Sequence, residues 1–238
     1  MSNKINFLPH FEMIPWLDSN RRCIINIDHS RTDPNLSWTI IYDKRQKKEE
    51  KKVKKFLYIM TGIPGSGKST CAKAIAENCK EQGESVQIVS RDAIRFSMVR
   101  EDEPYFSKEN EVFAEFIRQI NESLVNNSVT IVDATHLSKA SRFKVLNKIV
   151  YDEAKAINVI FVKTNHNFSK AKTWNEQRTG RERVPEDVLR SMWDNYESPG
   201  YSEQNTIIEK MPWCNDCMAV IYRPNEKGIW APHNDYWF

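Results

Sequence analysis

A glycine-rich segment that ends in a lysine and a hydroxyl side chain carries the strongest chemical signal in the sequence. Gly62-Ile-Pro-Gly-Ser-Gly-Lys68-Ser69 matches the pattern GxxxxGK(S/T) and lies between an apolar run and a helix-forming stretch. Glycines let such a loop turn its N–H groups toward phosphate oxygens, the lysine reaches the β- and γ-phosphates, and the hydroxyl ligates Mg²⁺. The segment therefore predicts a site for a nucleoside triphosphate with Mg²⁺. The residues assigned to the nucleotide are Gly62, Pro64, Gly65, Ser66, Gly67, Lys68, Ser69 and Thr70.

An acid and an arginine follow the next predicted strand. Residues 85–89 are typical of a buried parallel strand, so Asp92 lies near its carboxyl end, where ligands bind in open α/β sheets. A carboxylate there can accept the proton of a hydroxyl that attacks the γ-phosphate. Arg95 lies on the same face if a helix begins here, and it can hold a phosphate of the acceptor. The alternative is an aspartate that caps a helix, beside a solvent-exposed arginine.

A second strand also ends in an acid. Residues 129–132 are apolar or β-branched and lead into Asp133, which we expect to bind Mg²⁺ directly or through water. Thr135 and His136 come next and are assigned to the acceptor pocket. Arg142, in the helix predicted after them, is assigned to the acceptor as well. A lone histidine is also common as a purely structural residue, and that alternative stays open for His136.

An arginine-rich loop lies between two predicted helices. Residues 174–183 contain three arginines and a glycine, and Pro185 suits the first position of the following helix. Such a loop is typical of a lid that closes on the triphosphate and neutralises charge on the transferred phosphoryl group. Arg178 and Arg181 are therefore assigned to the nucleotide. The alternative is a solvated charged loop.

Strand and helix patterns alternate through the middle of the chain, which predicts an α/β fold with a parallel sheet and helices on both faces. Strands are expected near 56–61, 86–90, 129–133 and 157–162, and helices near 68–82, 108–125, 139–154, 168–177 and 185–197. The predicted organisation is an N-terminal extension with a β-hairpin at 1–50, the main domain at 51–200 with its lid near 174–184, and a C-terminal extension at 201–238 packed on the core.

The composition of the chain excludes a disordered or a fibrous protein. The 238 residues include 28% charged side chains and carry a net charge of only +3, which predicts an ordinary globular protein without a strong overall field for nucleic acid. Basicity is local: residues 44–55 hold eight Lys or Arg against two Glu, as a solvated segment or as a contact to a phosphate backbone. No apolar run is long enough to span a membrane, and no signal peptide is evident, so we expect a cytoplasmic protein.

Four segments resemble the 5′-hydroxyl polynucleotide kinases of phages and of bacterial RNA-repair systems. They are, in chain order, GIPGSGKST, SRDAIR, VDATHL and QRTGRERVPEDVLRSM, and the resemblance covers about residues 56–200. It implies ATP as the phosphate donor, Asp92 as general base and Arg95 as the ligand of the acceptor's phosphate. It places the lid arginine that contacts the donor phosphates at Arg178, so that the implied catalytic residues are Asp92, Lys68 and Arg178. It also implies the fold of the P-loop kinases.

The predicted function is transfer of the γ-phosphate of ATP to the 5′-OH of RNA or DNA, as in nucleic-acid repair. The expected partner is a nucleic-acid 5′ end, with no membrane; a separate ligase or phosphatase partner stays open. One alternative is a P-loop kinase that acts on a small metabolite or on a hydroxyl carried by tRNA. Another is a binding protein gated by its nucleotide, for which the acceptor-side Asp and Arg would have no use.

Overall fold

The computed structural model describes residues 54–164 and 167–233, which belong to a compact unit that begins at Lys51. The hairpin predicted within residues 1–50 lies outside the described residues. The same is true of most of the basic run and of the aromatic residues at 236–238.

One sheet of six strands organises the described residues, in the spatial order β2-β3-β1-β4-β5-β6. The first five strands are parallel, and β6 pairs antiparallel with β5 at the edge. The strands are β1 (Lys55–Thr61), β2 (Val86–Ser90), β3 (Val129–Asp133), β4 (Ile157–Thr164), β5 (Cys214–Pro224) and β6 (Trp230–His233). The chain leaves β1, β2 and β3 at the same edge of the sheet, and the predicted site residues follow these three strands.

Both faces of the sheet are buried. Successive side chains of a strand point to opposite faces, and in β1 the adjacent residues Leu57, Tyr58 and Ile59 are all less than 7% exposed. Leu57 and Ile59 pack in a core that includes Phe116 and Ile120 of the third helix. This burial explains why the strands are nearly continuous apolar runs, as parallel sheets covered on both sides require.

Seven α-helices are present in the part of the chain that the structure describes. They are α1 (Lys68–Glu81), α2 (Arg91–Met98), α3 (Glu109–Asn126), α4 (Lys139–Leu146), α5 (Phe168–Glu176), α6 (Glu186–Asp194) and α7 (Tyr201–Lys210). A short 3₁₀ turn at Gly180–Glu182 lies in the loop between α5 and α6. None of the helices in this part of the chain is long and apolar enough to cross a bilayer.

The predicted parallel α/β fold is confirmed, but one helix is shorter than expected. The helix expected at 139–154 ends at Leu146. Beyond it, the side chain of Asn121 accepts a hydrogen bond from the N–H of Val150 and donates one to the carbonyl of Lys148, which satisfies backbone groups outside a helix. Such a contact from another helix is invisible in the local pattern.

The C-terminal segment adds two strands to the sheet. We expected residues 201–238 to pack on the core as an extension, and β5 pairs with β4 along the strand from Ile157 to Thr164 and adds β6 beyond it. The sheet therefore continues past residue 200. Trp230 pairs with Pro224 near the edge at which the phosphate-loop motif lies.

Candidate active site

The phosphate-loop motif connects β1 to α1 and is fixed on both sides. The N–H of Gly62 donates to the carbonyl of Thr135 (2.9 Å), and the hydroxyl of Thr164 donates to that of Ser66 (3.0 Å). Gly65 has a φ of 75°, and a Cβ there would lie 2.2 Å from the carbonyl oxygen of Ala171 in α5. Only glycine fits this position, because both the backbone conformation and the space exclude a side chain. The loop is thereby packed directly against the helix that leads into the lid.

Lys68 extends back along this loop and is almost fully buried. Its Nζ donates to the carbonyl of Ile63 (2.8 Å). Burial, with a smaller contribution from the nearby Arg178, lowers the pKa of Lys68 to about 8 against the opposing effect of Asp133 and Asp92. The ammonium group therefore lies where an anion would be strongly stabilised, and Arg178 is near enough to share that anion.

Asp133 and Ser69 are the residues that could hold Mg²⁺. Asp133 ends β3, is 8% exposed and accepts no hydrogen bond from the described residues. Ser69 lies in the first turn of α1 and is exposed. A carboxylate and a hydroxyl fit Mg²⁺, which usually takes one or two protein oxygens together with phosphates and water. Within the described ranges, no group of three His, Cys, Asp or Glu side chains is placed to hold a metal by itself.

Asp92 and Arg95 meet on α2 as the spacing predicts. Nη1 of Arg95 donates to Oδ1 of Asp92 (2.6 Å) and to the hydroxyl of Tyr105 (3.1 Å). The Asp92 carboxylate is 61% exposed, whereas the Arg95 side chain is 5% exposed. Oδ2 of Asp92 accepts no hydrogen bond from the described residues, so one oxygen of this carboxylate is oriented while the other faces solvent.

Glu109 is the residue at this site that sequence reasoning missed. Its Oε2 accepts from Nη2 of Arg95 (2.9 Å), and its Oε1 pairs with Nη2 of Arg91. Tyr105 lies under the same guanidinium, with 4.7 Å between the Arg95 Cζ and the ring centre. The Phe106 ring lies 5.4 Å from the same Cζ, so Arg95 is held by two carboxylates and two rings. The available signal was an acid in the first turn of the next predicted helix, which by itself indicates only favourable helix electrostatics.

The lid is closed at its base by Asn175. Its Nδ2 donates to the carbonyl of Val184 (2.7 Å), and its Oδ1 accepts from the N–H of the same residue (3.1 Å). Arg178 is half-buried and makes no side-chain hydrogen bond or ion pair within 54–164 and 167–233. Its position beside Lys68 fits the role predicted for it at the donor phosphates.

Arg181 of the lid turns toward α2 instead. Its Nη1 donates to the carbonyls of Val99 (3.2 Å) and Arg100 (2.9 Å), and its Cζ lies 5.5 Å from the ring centre of Tyr105. We therefore move Arg181 from the nucleotide to the acceptor side, because these contacts hold it at the end of α2. A cavity of about 760 Å³ lies there, between residues 96–101 of α2 and its C-terminal end and residues 179–182 of the lid.

His136 lies inside the wall of the site. It is 4% exposed, has a φ of 44°, and its Nδ1 bonds the carbonyl of Met60 (2.9 Å). Burial lowers its pKa to about 4, so the ring is neutral at pH 7. We correct its assignment as an acceptor contact, because the ring packs against Phe116 with 6.4 Å between ring centres. Thr135 is half-buried, and its assignment to the acceptor pocket stays a prediction.

Arg142 is wholly buried and cannot bind an acceptor. Its Nε and Nη2 donate to the two carboxylate oxygens of Glu203 (2.7 Å each). Its Nη1 donates to the carbonyls of His136 (3.0 Å) and Glu197 (2.9 Å). The side chain is 0% exposed, so the prediction of a substrate contact is wrong. Arg142 instead ties α4 and α7 to the backbone behind the acceptor pocket.

Comparison with known proteins places this arrangement in a family. The family described as "Chromatin associated protein KTI12" matches residues 56–205, from β1 into α7. The chain belongs to the KTI12 family. The matched part contains the phosphate loop, both strand-end acids and the lid.

A curated protein is similar in sequence over part of its length. Over 149 residues, the sequence is 29% identical to the L-seryl-tRNA(Sec) kinase of Methanococcus maripaludis, which covers 60% of this chain and 53% of that protein. The chain thus spans about half the length of this relative.

Two solved structures are similar to the chain. Kti12 of Chaetomium thermophilum, in complex with ADP-AlF3, is 17% identical with a TM-score of 0.50, over 72% of this chain and 92% of that one. A chain of the Pnkp1/Rnl/Hen1 RNA repair complex is 18% identical with a TM-score of 0.47, over 67% of this chain and 47% of that one. The likeness to Kti12 establishes a P-loop kinase-like fold.

Proposed function

We propose that this KTI12-family protein is an ATP-dependent kinase that transfers the γ-phosphate of ATP to the 5′-hydroxyl of RNA or DNA. The observation that carries the proposal is the contact between Asp92 and Arg95, 2.6 Å apart beside the phosphate loop. A polynucleotide end offers a hydroxyl and, one ribose away, a phosphate. The carboxylate of Asp92 would act as a base on the hydroxyl, and the adjacent guanidinium of Arg95 would bind the phosphate of the same acceptor.

Asp92 acts as general base in this proposal. Arg95 and Tyr105 hold its Oδ1, which orients Oδ2 toward solvent, where an acceptor hydroxyl can donate its proton. The resulting oxygen attacks the γ-phosphorus while the bond from phosphorus to the leaving ADP oxygen breaks, and the proton stays on Asp92. General-base catalysis of this kind contributes about 10²- to 10⁴-fold in rate.

The donor side is built from Lys68, Arg178, Ser69 and Asp133. Lys68 and Arg178 lie close enough to interact electrostatically, and both would contact phosphate oxygens on which charge develops during transfer. Ser69 and Asp133 would hold Mg²⁺, which neutralises charge on the β- and γ-phosphates. The lid carries Arg178 into place because Asn175 fixes the base of the lid.

The test is transfer of γ-³²P from Mg-ATP to oligonucleotides with a 5′-OH, as RNA and as DNA, by the wild-type protein and by Asp92→Asn. We expect label with the wild type only, and a loss of about 10²- to 10⁴-fold in the variant, with ATP affinity unchanged. Full activity of Asp92→Asn would remove Asp92 from the mechanism. A 5′-phosphate is also the group that a nucleic-acid ligase consumes, so a ligase is the class of partner to test with the product.

A hydroxyl carried by tRNA is the second candidate acceptor. The 29% identity to an L-seryl-tRNA(Sec) kinase favours it, and the cavity of about 760 Å³ beside α2 offers room for an acceptor group. Seryl-tRNA(Sec) and free serine belong in the same transfer assay as separate acceptors. Label on seryl-tRNA and none on oligonucleotides would replace the first proposal with the second. ATP hydrolysis without any labelled acceptor would favour a nucleotide-gated binding protein.

A further inference from the structure

Two tryptophan rings from distant parts of the chain contact the phosphate loop at its third glycine. Gly67 has a φ of 82°, and a Cβ there would lie 2.8 Å from Cζ2 of Trp230 and 3.2 Å from Cζ3 of Trp174. Trp174 belongs to α5, and Trp230 begins β6. Both side chains are partly exposed. The transfer chemistry proposed above uses neither ring.

The strand order shows on which side of the loop these rings lie. Asp133 and Asp92 follow β3 and β2, which lie on one side of β1. Trp230 pairs with Pro224 at the carboxyl end of β5, on the other side of β1. A nucleotide that presents its γ-phosphate to Asp92 must therefore extend its ribose and base away from β2 and β3. That direction leads past Gly67 to the two tryptophans.

The contact joins the loop to the far side of the sheet. In the sheet, β6 is three strands from β1, on the side away from β3 and β2. The six-membered ring of Trp230 nevertheless lies against the loop, with Cζ2 2.8 Å from the position of a Cβ on Gly67. Glycine at position 67 is what allows the approach, since any side chain there would overlap the ring.

We propose that Trp174 and Trp230 form the platform on which the base of the donor nucleotide stacks. Aromatic rings bind any nucleobase by its flat face, so the platform adds affinity with little choice between adenine and guanine. Nζ of Lys170 lies 4.9 Å from the centre of the Trp174 ring and covers part of it.

The inference rests on nucleotide binding in the proposed function, but not on the identity of the acceptor. Calorimetric titration with Mg-ATP and with Mg-tripolyphosphate separates the base from the phosphates. For Trp230→Leu we expect ATP affinity to fall about 5- to 100-fold while tripolyphosphate affinity stays unchanged. Trp230→Phe keeps a ring and should stay close to wild type. Ile229→Ala, on the same hairpin and 59% exposed, is the matched control and should bind both ligands normally.

Each of the other possible results of these titrations would contradict a different part of the proposal. Equal losses for ATP and tripolyphosphate in Trp230→Leu would mean that the ring only shapes the loop, and unchanged affinity for both would also overturn the platform. If Trp230→Leu does not fold, Trp174→Leu removes the other ring of the platform and reports the same ratio of the two affinities. A wild-type protein that binds neither ligand would overturn the proposed function together with the platform. Tight ATP binding without oligonucleotide phosphorylation would reject the acceptor and leave the platform in place.

Discussion

The side-chain amide of Asn175 bonds both the carbonyl and the N–H of Val184, at 2.7 and 3.1 Å, and so joins the two ends of the lid. The eight residues between them include Arg178 and Arg181. Because the Cβ of Asn175 also lies 3.1 Å from where a Cβ on Gly65 would be, the base of the lid is packed on the phosphate loop. Lid geometry and loop geometry are therefore coupled.

Replacing Asn175 should loosen the lid. Asn175→Asp keeps the acceptor for the Val184 N–H but places a carboxylate against the Val184 carbonyl, which leaves a buried acceptor unsatisfied at a cost of about 1–3 kcal/mol. We expect trypsin to cleave after Arg178, Arg181 or Arg183 faster than in wild type, and phosphate transfer to slow. Asn195→Asp changes an exposed amide just after the last residue of α6 and is the control. Unchanged cleavage in Asn175→Asp would show that this amide does not hold the lid.

We expect Glu109 to affect the reaction with the acceptor but not the binding of ATP. It binds both Arg91 and Arg95, so Glu109→Gln leaves Arg95 with Asp92 as its only carboxylate partner among the residues described. Hydrogen bonds to charged groups contribute about 1.5–3 kcal/mol, so we expect kcat/KM for the acceptor to fall roughly 10- to 100-fold. Calorimetry should show the same ATP affinity as wild type.

The matched control for Glu109 lies on the same helix. Glu115 pairs with Arg118 on the exposed side of α3, and Glu115→Gln should leave kcat/KM unaltered. An equal loss in both variants would point to a general effect on α3 instead of a specific role for Glu109.

The fold could be predicted from the sequence because its signals are local. The site could be predicted only in part, because some of its residues are defined by partners that are distant in sequence. The strands are continuous apolar runs, and their terminal acids Asp92 and Asp133 could be located from the same pattern. Glu109 and Asn175 could not, because what distinguishes them is a partner that only the tertiary structure brings near. An arginine such as Arg142 has the same local sequence whether it faces a ligand or a buried acid, and its partner Glu203 lies 61 residues away.

Nucleotide affinity should depend on the protonation of Lys68. Burial lowers the pKa of Lys68 to about 8, and the triphosphate binds the protonated form. Below pH 8 the ammonium is present, so binding takes up few protons. Above pH 8 it is lost, and the dissociation constant of Mg-ATP should rise by up to tenfold per pH unit while binding takes up nearly one proton.

Calorimetry in buffers of different ionisation enthalpy at pH 7, 8 and 9 measures this proton uptake. Phosphate monoesters lose their second proton at about pH 6, so the nucleotide itself contributes little to the change in proton uptake between pH 7 and 9. Lys68→Met should bind ATP more weakly at every pH and without the added uptake. A flat affinity profile from pH 7 to 9 in the wild type would mean that Lys68 stays charged throughout.

The buried pair of Arg142 and Glu203 should stabilise the fold without touching the acceptor. Removing one partner leaves an uncompensated buried charge, which costs about 3–5 kcal/mol, whereas replacing both by apolar side chains of similar size is often neutral. We therefore expect Arg142→Met to lower the free energy of unfolding in urea by that amount, and Arg142→Met with Glu203→Leu to restore much of it. Arg118→Ala breaks the surface pairs of Arg118 with Glu115 and Glu122, the Arg118 side chain being 59% exposed, and should cost about 1 kcal/mol or less. At temperatures where it stays folded, Arg142→Met should keep the wild-type KM for the acceptor, since a raised KM would restore Arg142 to the binding site.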